Sequence, residues 1–289
     1  MSKQWTIGKK LIVSFSAVAA ITLTLGVVGY YGAVESEAHI DEIGVVRLPS
    51  VDSMLTIKRA SDAVKVSQRT LLVSGTSKAE RERQLDDIEK IREEYEEAWA
   101  IYEPLPQTKE EAKLWKQFVP AWNQWREENN KFFTLAREVI SSGILNPTRM
   151  QMQLEGFRGD HYKVVTETLN MIETGKVFDG GEDHTKCGLG KWMAGFQTEN
   201  PALQKGLRDL RGPHEEFHHA VHEIKKLVGE GKKEEALKVY NEKLNPAMEA
   251  EFVALNALLA EVGRVRQLAV EAEAYALNEC RDAQEKAIG

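Results

Sequence analysis

An uncharged apolar run near the N-terminus limits what this chain can fold into more than any other feature. The run covers 24 positions, from Leu11 to Val34. Because a helix rises about 1.5 Å per residue, the run reaches roughly 36 Å, enough to cross a hydrocarbon core of about 30 Å. The sequence therefore predicts one transmembrane helix over residues 11–34, and no later stretch is apolar for long enough to form a second.

The charges on either side of the run predict its orientation. Three lysines precede it and four acidic residues follow it closely: Lys3, Lys9 and Lys10, then Glu35, Glu37, Asp41 and Glu42. Positively charged flanks stay in the cytoplasm, so residues 1–10 are expected there and the chain after residue 34 is expected on the opposite side of the membrane. A cleaved signal peptide is the alternative, but its apolar region would be only about 7–15 residues long.

Composition excludes some classes of protein. The net charge of −7 gives no basic surplus to neutralise phosphates, which argues against a nucleic-acid partner. Two cysteines, Cys187 and Cys280, are too few for a disulfide framework. We expect Cys280 to be a small packing residue, with an inter-subunit disulfide as the functional alternative.

The chain after the apolar run is typical of helices throughout. Ser77 with Glu80, and Thr108 with Glu111, have the spacing of capping boxes. Asn146 and Asn200 each precede a proline, as at the start of a helix. The predicted elements are helices over 33–73, 77–102, 108–142 and 147–174, a glycine-rich loop with two short helices, and helices over 213–228 and 232–286. Pro246 is expected to kink the last one.

These elements form two groups. Residues 35–144 and 231–289 give long helices with apolar stripes, as in an antiparallel four-helix bundle. Residues 145–230 give shorter helices, more glycine and six of the seven histidines. The predicted fold is all-α: an N-terminal transmembrane helix followed by an antiparallel four-helix bundle, into which a smaller helical bundle is inserted.

The inserted segment contains a candidate metal site. His214 and His218 are four residues apart, which places both rings on one helical face, and His218 and His222 share that spacing. His161 and Cys187 precede them. Thiolate and imidazole suit zinc, and four protein ligands would leave no open position for an activated water. Spacing alone leaves an unligated cluster of surface histidines equally open.

A family resemblance adds to this interpretation. The run Cys187-Gly-Leu-Gly-Lys-Trp192, with Asp160-His161 before it and His214-Glu-Glu-Phe-His218 after it, resembles the motif of the chemoreceptor zinc-binding domain family. The resemblance implies that His161, Cys187, His214 and His218 bind Zn²⁺ in residues 145–230. His184 is the first substitute if one ligand is wrong, and His222 the second. Gly188 and Gly190 are expected to turn the loop tightly, and Trp192 to bury against the bundle.

The long helices resemble the four-helix-bundle ligand domain of methyl-accepting chemotaxis proteins. The residues that carry this resemblance are the N-terminal anchor, Arg47-Leu-Pro49 before a long helix, and Glu235-Ala-Leu with Leu244-Asn-Pro246. It implies a homodimeric sensor that is anchored in a bacterial inner (cell) membrane. Such a sensor would send a zinc- or redox-dependent signal through its last helix, with an oxidant or a small molecule as possible stimulus. Because the sequence stops at Gly289, where such a receptor would enter a second membrane helix, we expect a fragment or a truncated receptor.

Two functions other than sensing would also use a zinc site. A periplasmic zinc carrier or buffer would bind the ion without any signalling output. A metallohydrolase would need an open coordination position, which Cys187 fills as the fourth ligand, although His214-Glu-Glu-Phe-His218 has the histidine spacing of a zinc hydrolase. We therefore expect that the protein is not an enzyme.

Overall fold

The fold is helical, and no strand occurs among the residues that the structure, a computed structural model, describes, namely 4–288. The α-helices are α1 Ile7–Asp41, α2 Leu48–Leu72, α3 Lys78–Tyr102, α4 Lys109–Ser141, α5 Pro147–Thr174, α6 Gly188–Gly195, α7 Pro201–Gly229, α8 Lys233–Val239, α9 Asn245–Leu277 and α10 Glu279–Ile288. The all-α prediction is confirmed. Lys3, one of the lysines before the apolar run, and Gly289, the last residue, lie outside the described residues.

The apolar run belongs to a very long first helix. A π-helical segment, Glu42–Arg47, joins α1 to α2, so that helix continues over Ile7–Leu72. It contains an 18-residue window with a mean hydropathy of 2.3, none of it buried. Within residues 4–288, this is the one helix whose length and composition would allow it to cross a membrane. The predicted continuation of the apolar run into a helix ending near residue 73 is confirmed.

Capping side chains fix the starts of the next helices. Ser77 Oγ accepts from the Glu80 N–H at 3.2 Å. Thr108 and Glu111 cap each other, because Thr108 Oγ1 accepts from the Glu111 N–H and Glu111 Oε2 accepts from the Thr108 N–H. The Asn146 side chain accepts from the Arg149 N–H at 3.0 Å. These bonds satisfy first-turn donors that have no partner inside the helix, and each predicted start lies within one residue of the observed one.

The prediction is wrong between residues 196 and 229. We expected a second short helix and then a new helix at 213, but α7 runs as one helix from Pro201 through Pro213 to Gly229. A proline in a helix interior costs about 3 kcal/mol because it removes a donor and crowds the preceding turn. Leu210 and Phe217, on either side of Pro213, are both fully buried. Their packing offsets the cost and holds the helix together.

The last predicted helix, 232–286, consists of several pieces. After α8, a π-helical segment, Tyr240–Leu244, leads directly into α9, whose first turn holds Pro246. The irregularity expected at Pro246 is thus a π-helical segment, which shifts the hydrogen-bonding pattern just before a residue that has no N–H. Asn278 then leaves the helical conformation, with φ −115° and ψ −81°, and separates α9 from α10.

The chain divides into two compact units. The first comprises Met1–Ala63 and Lys90–Trp115, and the second comprises Val64–Glu89 and Lys116–Gly289. In the first unit, the Trp115 ring packs against Trp99 and Tyr102, with ring centroids 4.4 and 4.6 Å apart. The candidate metal site lies wholly in the second unit.

In the second unit, α9 shares a core with the helices that carry the candidate ligands. Leu189 of α6, Leu203 and Leu210 of α7, and Leu255 and Leu258 of α9 are all fully buried in one cluster. A second cluster joins α5, α7 and α8. α9 is therefore part of the hydrophobic core on which the candidate site is built.

Cys280 lies in α10 and is 2% exposed. Burial raises the pKa of its thiol to about 12. This supports the predicted packing role and argues against the inter-subunit disulfide, which needs an accessible thiolate.

Candidate metal centre

Four side chains from three helices converge in the second unit. His161 comes from α5, Cys187 is the N-cap of α6, and His214 and His218 come from α7. One ligand atom of each residue lies within 4.8 Å of the other three. The three histidines are 1–2% exposed and Cys187 is half-buried. The structure thus brings together all four residues that the sequence motif singles out.

The separations between these atoms fit a tetrahedral zinc ion. His218 Nε2 lies 3.3 Å from His161 Nε2 and 3.2 Å from His214 Nε2. With zinc–nitrogen bonds of about 2.0–2.1 Å, two nitrogens at the corners of a tetrahedron are about 3.3 Å apart. Cys187 Sγ lies 3.1 Å from His214 Nε2, so the sulfur would move outward by roughly 0.5 Å to accept a zinc–sulfur bond of about 2.3 Å.

Backbone carbonyls orient two of the rings. His161 Nδ1 lies 2.8 Å from the Phe157 oxygen, and His218 Nδ1 lies 2.7 Å from the Gly181 oxygen. A carbonyl only accepts, so each Nδ1 carries the proton and each Nε2 keeps its lone pair for the centre. Gly181 has φ +89°, in the left-handed region that favours glycine. The glycine-rich loop therefore helps to set the tautomer of a candidate ligand.

Burial keeps the three rings neutral. It lowers the pKa of His161, and it lowers the pKa of His218 to about 4. It also lowers the pKa of His214 to about 3, and repulsion from the neighbouring imidazoles adds to this shift. Neutral imidazole is the form that binds a metal ion, so these rings are ready for one at neutral pH.

The Cys187 sulfur is held at the start of α6. It accepts the Gly190 N–H at 3.1 Å and lies 3.4 Å from the His184 carbonyl oxygen, to which the thiol can donate. Burial raises the pKa of the thiol, although the Gly190 N–H opposes this shift. Without a cation the sulfur therefore keeps its proton, and a bound metal ion would displace that proton.

The two motif glycines act differently from what we expected. Neither Gly188 nor Gly190 has a positive φ, and both lie in the regular turns of α6, so the predicted tight turn is wrong. Gly190 is needed for a close approach instead, since a methyl group there would overlap the His184 carbonyl oxygen. Trp192 packs against the core cluster as predicted but is only partly buried, and its ring centroid lies 5.7 Å from that of Phe157 in α5.

The two substitute ligands lie outside the group of four. His184 belongs with Glu215 and His219 to a second, more exposed group, and its ring centroid is 6.1 Å from that of His214. His222 is exposed. It lines an open cavity of about 480 Å³ beside the centre, whose walls also include His161, Cys187 and His218.

One residue at this site, Glu251 of α9, was not predicted from the sequence. It is fully buried, its Oε1 lies 3.5 Å from His161 Nε2, and neither carboxylate oxygen has a hydrogen-bond partner among the described residues. Burial raises its pKa to about 8. A signal was present in the sequence, since Glu251 follows Met248 by three residues and precedes Leu255 by four. It is therefore a charged residue on the apolar face of a helix.

Comparison with known families agrees with this geometry. Residues 4–141 match the four helix bundle sensory module for signal transduction, and residues 161–225 match the chemoreceptor zinc-binding domain. No match to a curated protein or to a solved structure was found. Neither matched family is a family of enzymes.

The second match includes all four converging side chains and ends before Glu251. A zinc-binding domain with such a group of donors confirms the predicted cofactor, Zn²⁺. Both resemblances are confirmed: the chain joins a four-helix-bundle sensory module to a chemoreceptor zinc-binding domain.

Proposed function

We propose that this chain is a membrane-anchored sensory module that holds one zinc ion on His161, Cys187, His214 and His218. Zinc occupancy, or oxidation of Cys187, would change how α5, α6 and α7 pack, and α9 and α10 would pass the change on. One observation carries the proposal: four donors come within 4.8 Å of one another on helices that share a core with α9. Zn²⁺, when bound, would join these helices through a closed coordination shell.

The proposed arrangement in the cell follows the charge pattern. Residues 11–34 span the inner membrane, residues 1–10 lie in the cytoplasm, and the sensory region lies in the periplasm. Residues 35–144 and 231–289 form the four-helix bundle, residues 145–230 form the inserted zinc domain, and two chains form a homodimer. The match to a sensory module and the unburied apolar window of the first helix support this arrangement.

Contacts with α9 provide a route for the signal. From α5, the Tyr162 ring packs on Phe252 with centroids 4.6 Å apart. From α7, Gly206 lets the helix come close to α9, since a Cβ there would lie 2.5 Å from Leu258 Cδ2. Helices packed this closely move together, and shifts of about 1–2 Å are typical of signalling at such interfaces.

The open cavity supports a redox input. Cys187 is half-buried and lines the cavity of about 480 Å³, so a small oxidant can reach its sulfur. A two-electron oxidant such as hypochlorous acid would convert the thiolate to a sulfenic acid and be reduced to chloride. The oxidised sulfur is a poorer zinc ligand, so the coordination shell would change.

Hydrogen–deuterium exchange on the full chain, with zinc and after chelation, separates a sensor from a carrier or buffer. A sensor predicts that removal of zinc accelerates exchange in α9 beyond residue 262 and in α10, as well as in α5–α7. Changes confined to residues 145–230 would contradict the proposed output and favour the carrier or buffer.

A further inference from the structure

We propose that Glu251 is a fifth protein donor at the zinc centre and ties the ion directly to α9. The proposal rests on zinc occupying the site as described above, but it does not depend on any signalling output. Because the match to the zinc-binding domain ends at residue 225, this donor lies outside the segment that defines the family.

The Glu251 carboxylate lies beside one candidate ligand, His161. Its Oε1 lies 3.5 Å from His161 Nε2, the ring nitrogen that keeps its lone pair because Nδ1 donates to Phe157. Two donors on one zinc ion, each bonded at about 2.0–2.2 Å, lie roughly 3.3–3.6 Å apart at tetrahedral or trigonal angles. The observed separation from His161 falls in that range. Glu251 is not among the residues whose ligand atoms all lie within 4.8 Å of one another, so its side chain must turn further toward the ion to bind it.

Charge balance favours the same assignment. Zn²⁺ with one thiolate and three neutral imidazoles carries one net positive charge, and the histidine ligands are 1–2% exposed. A buried unpaired charge is costly, and the Glu251 carboxylate would reduce the net charge to zero. The carboxylate in turn has no hydrogen-bond partner among the described residues, so the ion is the group that would compensate its burial.

With Glu251 as a fifth donor, zinc can remain bound when Cys187 no longer acts as a ligand. Three imidazoles and the Glu251 carboxylate still provide four donors, so zinc stays bound after the sulfur leaves. The ion then remains attached to α9, and loss of the thiolate changes the coordination shell without releasing the metal.

The test uses the full chain, purified in detergent and loaded with zinc, in three variants. Cys187→Ala and Cys187→Ala/Glu251→Gln are compared with Cys187→Ala/Glu249→Gln, in which the exposed Glu249 of the same helix serves as the matched control. Zinc per chain is measured after dialysis against a weak chelator. We expect Cys187→Ala and the Glu249 control to retain the ion, and the Glu251 double variant to bind it at least about tenfold more weakly. The proposal would be overturned if all three variants retained zinc equally. It would also be overturned if the single variant Cys187→Ala lost its zinc.

Cobalt(II) provides a second readout that needs only the single variant Glu251→Gln. Four-coordinate tetrahedral cobalt absorbs visible light several-fold more strongly than five-coordinate cobalt. The wild-type chain is therefore expected to give the weaker bands and Glu251→Gln the stronger ones, while circular dichroism monitors the helical fold. Identical spectra would rule out a bond between Glu251 and the metal. If the wild-type chain bound no metal at all, the proposed zinc function itself would fail.

Discussion

Replacing Gly190 by alanine is expected to move the Cys187 sulfur away from the three imidazoles. The new methyl group would overlap the His184 carbonyl oxygen and lie 2.9 Å from its carbon and 3.3 Å from Thr185 Cα. Since carbon atoms pack at about 3.5–4.0 Å, the segment from His184 onward must retreat by roughly 1 Å. Cys187 ends this segment and its sulfur also accepts the Gly190 N–H, so the sulfur is displaced as well.

The size of the displacement of the Cys187 sulfur determines how far zinc affinity should fall. Metal–ligand distances tolerate only about 0.2 Å, so a shift of roughly 1 Å removes the sulfur as a ligand. We expect zinc affinity to fall by at least about 100-fold, the upper end of what loss of a supporting partner costs. Overpacking should also lower the free energy of unfolding by about 1–3 kcal/mol.

Chelator competition and zinc X-ray absorption measure these effects. Gly195→Ala is the matched control, because Gly195 lies in the same helix and a methyl group there meets nothing within 4 Å. The control should bind zinc like the wild-type chain. If Gly190→Ala also binds zinc with unchanged affinity and keeps sulfur in the coordination shell, then close packing of Gly190 against His184 does not position the thiolate.

Three further predictions concern ligand choice, pH and metal removal. His218→Ala should weaken zinc binding by at least about 100-fold, while His222→Ala, one turn further along α7, should bind zinc like the wild-type chain; unchanged zinc affinity in His218→Ala would refute that ligand. Zinc affinity should fall in acid. As the pH rises from 6 to 7, the logarithm of the zinc affinity should increase by about two, because zinc displaces the protons of Cys187, whose pKa is raised, and of Glu251, whose pKa is raised to about 8. The imidazoles add nothing in this range because burial lowers their pKa values. Calorimetry in buffers of different ionisation enthalpy counts the protons, and a release of more than two would contradict the neutral imidazoles. Chelation should lower the melting temperature, since a ligand at about 1,000 times its dissociation constant stabilises the fold by about 4 kcal/mol; an unchanged melting temperature would mean that zinc does not join the helices.

Local signals in the sequence predict most of the helices. Ser77, Thr108 and Asn146 cap helices through side chains that bond to backbone donors only three residues away. Pro213 is also a local signal, yet the helix continues through it. The burial of Leu210 and Phe217, which depends on distant parts of the chain, outweighs the local preference.

The candidate site likewise combines features that local sequence predicts with features that depend on distant parts of the chain. The motif from Cys187 to Trp192 and the histidine spacing are enough to select the four donors that converge. Spacing does not predict the close approach of Gly190 to His184. It places Glu251 on the apolar face of α9, but it does not predict that Glu251 lies beside His161. Glu251 follows His161 by 90 residues in the sequence. Only the packing of α9 against α5 brings the two side chains together.

Zinc analysis combined with X-ray absorption at the zinc edge tests whether Cys187 and the three histidines hold one ion together. We expect one zinc ion per chain, with one sulfur and the remaining donors nitrogen or oxygen, and loss of the sulfur signal in Cys187→Ala. A chain that retains no zinc, or zinc whose coordination shell contains no sulfur, would contradict this expectation.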